Sequence, residues 1–225
     1  MTDEATREAP VPPVPEDVEP GCVRWLRANV ARFSRPEDHA RRRALVVGEI
    51  APMGSLRDKA FALTRELRHE PEDRIAWTVP VAVLAAELGL PDVSRDIAEV
   101  SACYHPHTEP GADAEAAMRR LIEACGGVAD ERTAARIGLL VQACDATAKL
   151  IIKARAAHRP GEDVDGLLDR VLREDPPVRV TRRWVGGDVV EVDLTERPFG
   201  AGPKHCPGKA QALQVAAGIL DASLC

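Results

Sequence analysis

The sequence predicts a mainly α-helical fold with one small β-hairpin near its C-terminal end. Hydrophobic residues make up 45% of the 225 positions and aromatics only 3%, so the core is built from Ala, Leu and Val, a helix-favouring composition. Apolar residues recur at helical spacing through most of the chain. Strand-like alternation is confined to one stretch, VRVTRRWVGGDVVEVDL.

The first 20 residues, MTDEATREAPVPPVPEDVEP, are acidic and Pro-rich. They read as a disordered tail, since a signal peptide would be basic and then apolar. Residues 21–225 read as a single domain. Gly21–Arg32 is a short helix with Val23, Leu26 and Val30 on one side. In SRPEDHARRRALVV, Ser34 can cap, Pro36 suits a first turn, and Glu37 and Asp38 complement the helix dipole, so a helix runs from Pro36 to about Val47. Leu56–Leu67 and Arg74–Leu88 follow, the latter ended by Gly89-Leu90-Pro91. Ser94–Cys103 and Ala112–Cys125 are further helices. Asp130–Ala157 is the longest apolar-periodic stretch and reads as a buried central helix. Val164–Arg173 stops at Asp175-Pro176-Pro177. Two strands around Gly186-Gly187-Asp188 form the hairpin. Lys209–Leu224 is the last helix, and no internal repeat is present.

Several function classes are disfavoured at once. The net charge is −6 and no basic stripe alternates with aromatics, which argues against a nucleic-acid partner. No apolar run approaches the roughly 18 residues that span a membrane. Six cysteines without regular spacing imply reduced thiols and a cytoplasmic setting. Cys103, His105 and His107 are zinc-type ligands, but no fourth ligand stands at a standard distance and Pro106 alone accounts for a loop there.

Chemistry concentrates between the hairpin and the last helix, in PFGAGPKHCPGK. Gly200, Gly202 and Gly208 permit positive φ and close approach of the backbone to a flat object. Cys206 lies just ahead of a helix N-terminus, where the dipole and free N–H groups favour a thiolate able to bind metal. The run Phe199-x-x-Gly202-x-Lys204-x-Cys206-x-Gly208 resembles the heme-binding loop of the cytochrome P450 family.

That resemblance implies heme b with its iron axially ligated by Cys206, and Phe199 packed beside the sulfur. Lys204 falls where the family has a His or Arg that reaches a heme propionate. His39-x-x-x-Arg43 resembles the motif of the family's C helix, and spacing of four lets both side chains meet one carboxylate. Arg183 falls where another propionate-binding arginine is expected, with Arg182 next to it as the alternative. Ala143-Cys144-Asp145-Ala146-Thr147 resembles the oxygen-binding stretch of the I helix, which makes Thr147 and Asp145 the catalytic candidates.

The departures also carry information. The chain is little more than half the family's usual length. The Glu-x-x-Arg of the K helix stands here as Arg170-x-x-Arg173, so the usual Glu–Arg pair cannot form. Asp145 is one place early, and one residue swings a helical side chain by about 100°. Three readings follow. The resemblance implies an oxidoreductase or monooxygenase that oxidises a small organic substrate with O2 and a ferredoxin-type donor, or with peroxide. The displaced acid suits instead a non-oxygenating heme enzyme of dehydratase or isomerase type. A degenerate heme-binding or scaffold protein is the third. Loss of whole elements would bare apolar surface, which a homodimer could cover.

Overall fold

Helix ends are set by local signals. Asp130 and Asp163 each cap a helix by accepting a backbone N–H, from Thr133 at 2.7 Å and from Gly166 at 2.9 Å. The structure, a computed structural model, describes residues 6 and 9–224. Its helices are α1 (Val23–Asn29), α2 (Pro36–Ile50), α3 (Leu56–Glu66), α4 (Glu72–Glu87), α5 (Ser94–Ala102), α6 (Ala112–Ala124), α7 (Glu131–Ala157), α8 (Val164–Glu174) and α9 (Lys209–Leu224). Strands β1 (Val180–Val185) and β2 (Asp188–Asp193) lie between α8 and α9. The mainly helical fold and its hairpin are as the sequence predicts.

Some ends shift by a turn or less, α2 running on to Ile50 and α4 starting at Glu72, and one expected helix is broken. The helix expected over Gly21–Arg32 breaks at Val30, which is extended, and resumes as a 3-10 turn over Ala31–Phe33. The break lets Val30 pack against Gly138 of α7, where an added Cβ would stand 2.6 Å from the Val30 side chain.

α7 is the central element: its 27 residues bury side chains from Thr133 to Ala154, with α2, α4, α5 and α9 packed around it. α9 crosses α3 closely because Gly218 has no Cβ, which would lie 2.1 Å from the Arg57 carbonyl oxygen. Arg57 also ties α3 to Asp221 of α9 at 2.7 Å and to Asp165 of α8 at 2.9 Å. Among the described residues, no helix is long and apolar enough to cross a membrane.

The hairpin turns through Gly186 (φ 61) and Gly187 (φ 97), between the paired residues Val185 and Asp188. Both left-handed conformations match the strand twist, as a two-residue loop requires. The Pro-rich segment read as a disordered tail lies on the body over its described part. The Trp184 N–H of β1 donates to the Pro10 carbonyl at 2.7 Å, and Val14 and Val18 pack on the core.

Candidate functional site

The cysteine loop is closed by its own backbone. Cys206 N–H donates to the Phe199 carbonyl at 2.8 Å, and His205 N–H to that of Gly202 at 3.1 Å. Gly200 (φ 72) and Gly202 (φ 60) adopt the left-handed conformation, as expected. Gly208 is not in that region; its backbone N–H favours the Cys206 thiolate electrostatically. From outside the loop, Arg43 Nη1 of α2 donates to the His205 carbonyl at 2.6 Å. The Lys209 ammonium lies 5.4 Å from the centroid of the Phe199 ring.

Burial pushes the Cys206 thiol up, and this outweighs the downward pull of the Gly208 N–H and of the Arg43 and Arg32 charges. The expectation of a thiolate favoured by the helix N-terminus is therefore not met by the protein groups alone. A metal would supply the missing positive charge.

Around the loop the fold gathers cations. The Lys204 ammonium is buried with no hydrogen-bond partner among the described residues. Burial first, and Arg183 second, pull its pKa down to about 8. His39 is 8% exposed, and burial, Lys204 and Arg43 in that order disfavour its charged form. Arg183 is equally buried and hydrogen-bonds Thr181 Oγ1 and the Arg182 carbonyl, both at 3.0 Å. Arg182 points to the opposite face of β1, exposed beside His107 Nδ1 at 2.9 Å. His39, Arg43, Arg183 and Lys204, scattered through the sequence, are thus neighbours beside Cys206.

Arg32 escaped the sequence analysis. It sits exposed in the 3-10 turn, where its charge acts on Cys206, Arg183 and His105. No motif surrounds it in the sequence, and only the fold brings it to the loop.

The two catalytic candidates on α7 are not brought together. Thr147 is 3% exposed, whereas Asp145 is at the surface and ion-paired to Lys149 at 2.8 Å. Beneath them Cys144 is buried, with its thiol pushed up to about 11 by burial. Arg170, which occupies the position of the missing glutamate, pairs with Glu162 at 2.7 Å and donates to the Ala157 carbonyl at 2.8 Å. Arg173 stays exposed on its own helix.

The zinc-type residues do not converge. The Cys103 sulfur is directed to the Val100 carbonyl at 3.5 Å, while the His105 and His107 rings stack on one another at 5.5 Å. Among the described residues no group of three such side chains could hold a metal ion. A cavity of about 270 Å³ lies away from Cys206, between the N-terminal segment, Phe33, Arg42 and Trp184.

This arrangement of helices, hairpin and cysteine loop is the cytochrome P450 fold. The structure resembles ligand-free CYP164A2 of Mycobacterium smegmatis, with TM-score 0.65 and 22% identity over 89% of this chain and 75% of that one. It resembles CalO2 with TM-score 0.65 and 18% identity over 91% of this chain and 74% of that one. It also resembles P450BioI in complex with an acyl carrier protein ligated to hexadec-9Z-enoic acid, with TM-score 0.69 and 16% identity over 97% and 80% of the two chains. No family model and no curated protein matches the sequence.

Proposed function

We propose that residues 21–225 form one heme-binding domain with oxidoreductase chemistry of the monooxygenase kind on a small organic substrate. The observation that carries this reading is the buried Lys204 ammonium without a hydrogen-bond partner among the described residues, two residues ahead of Cys206 and beside Arg183 and His39. Cations gathered and desolvated in this way repel one another, and carboxylates placed among them relieve the cost. The residues therefore fit heme b: Lys204, Arg183, His39 and Arg43 would hold its two propionates through charge-assisted hydrogen bonds. Cys206 would ligate the iron, its thiolate favoured by the nearby Gly208 N–H.

When bound, heme supplies one-electron and O2 chemistry, favoured by a thiolate ligand. Thr147 Oγ1 is a buried hydroxyl near the middle of α7 that could hold or pass a proton. Asp145 is held by Lys149, so the proton has to reach Thr147 through water or a substrate group. Electrons would come from a ferredoxin-type donor, or peroxide would replace donor and O2 together.

The pairing of Asp145 with Lys149 favours a second reading, a non-oxygenating heme enzyme of dehydratase or isomerase type, because no acid then accompanies Thr147. One preparation tests both. The protein is loaded with hemin, reduced and exposed to carbon monoxide. A Soret band at the thiolate-ligated position is expected, and Cys206→Ala abolishes it. Failure to retain hemin overturns both readings. Product carrying oxygen from O2 or peroxide decides for the first.

A further inference from the structure

The hairpin carries Arg183, yet little of the helical body holds it. Among the described residues, β1 pairs with β2 and with no other strand, and neither strand packs extensively on any helix. A two-stranded hairpin is marginal in water by itself, and its free edge is open to exchange and mispairing. Here the outer edge of β1 is met by the N-terminal segment, since the Trp184 N–H donates to the Pro10 carbonyl at 2.7 Å.

The other end of that segment is fixed to the helices. Val14 and Val18 pack on the core, and Glu16 pairs with Arg35 at the start of α2 at 2.9 Å. Gly21, left-handed at φ 88, turns the chain from the segment into α1. Prolines at 10, 12, 13 and 15 stiffen it and cut the entropy lost on docking. Pro10, Val11, Pro13 and Val14 face Phe33 and Trp184 across the 270 Å³ cavity. Each of those two aromatics is the sequence neighbour of a site cation, Arg32 and Arg183.

We propose that residues 10–18 are a strap that fastens the hairpin to the helical body and so positions Arg183 within the cation cluster. Docking of the strap and retention of an anionic group by that cluster are then reciprocally coupled. The second half of this inference rests on the heme reading; the first half does not.

The test compares the full chain with a variant lacking residues 2–18 and with Val14→Asp, using Val14→Ile as the conservative control. Amide hydrogen exchange is measured without hemin. The expected result is exchange about tenfold faster over residues 180–193 in the deletion and in Val14→Asp, with α7 unchanged and Val14→Ile like the parent. Hemin release is then followed by transfer to an acceptor protein. It is expected to be several-fold faster in both strap variants, and this effect should vanish in an Arg183→Gln background.

Unchanged exchange in the hairpin overturns the strap. Faster exchange with unaltered hemin release, or an equal acceleration in the Arg183→Gln background, overturns the positioning of Arg183. A chain that takes up no hemin fails the heme reading, and the exchange result still decides the strap.

Discussion

Arg43 Nη1 and the His205 carbonyl, 162 positions apart in sequence, are joined by a hydrogen bond of 2.6 Å. The bond ties α2 to the cysteine loop at the residue before Cys206, while the same guanidinium acts electrostatically on His39 and Cys206. One side chain therefore both shapes the loop and completes its positive field.

Arg43→Ala should cost about 1.5–3 kcal/mol of stability, the usual worth of a hydrogen bond from a charged donor, read as a lower denaturant midpoint at constant slope. The same variant should lose hemin faster than the parent. Arg43→Lys should recover the charge but not the bond, so it should restore hemin retention more fully than stability. Equal recovery of both would show that the bond to His205 does not shape the loop.

Cys144 provides a test at alkaline pH. Its thiol ordinarily titrates at 9.0 and is pushed up to about 11 by burial, so the unfolded chain loses this proton first. The stabilisation is complete below pH 9, and it is lost as pH rises through the interval up to about 11. Tm measured across that interval should fall less steeply in Cys144→Ala than in the parent, whatever the offset between them. Identical slopes would remove Cys144 from the alkaline transition.

Gly218 marks a close crossing of α9 over α3. A Cβ there would stand 2.1 Å from the Arg57 carbonyl oxygen and 3.0 Å from the Ala60 side chain, and backbone cannot yield as a side chain tip can. Gly218→Ala should destabilise the fold by about 1–3 kcal/mol, the range for overpacking. Gly48 of α2 has nothing within 4 Å of its absent Cβ, so Gly48→Ala should be neutral or stabilising in the same denaturation series.

Much of the candidate site was legible because the cysteine loop is a contiguous run whose glycines and prolines declare its geometry. The pair His39 and Arg43 was legible for a similar reason, since four residues make one helical turn. Arg32 was not, because nothing beside it in the chain signals a ligand. Arg170 shows a different limit: the sequence said that it displaces a glutamate, and only the fold showed that it pairs with Glu162 of the loop before α8. Asp145, a catalytic candidate alongside Thr147 although it stands one place early, is instead paired at the surface with Lys149 one turn on.

By itself the sequence determined the elements. Helix caps, apolar periodicity and the Gly186-Gly187 turn act over a few residues, so their energetics can be read along the chain. The tertiary structure alone decided how burial and charge combine. It raised the Cys206 thiol despite the adjoining helix, set Lys204 between Arg183 and His39, and laid the Pro-rich segment along β1. Desolvation and Coulomb interaction depend on distance through space, and folding makes neighbours of groups that the sequence keeps far apart.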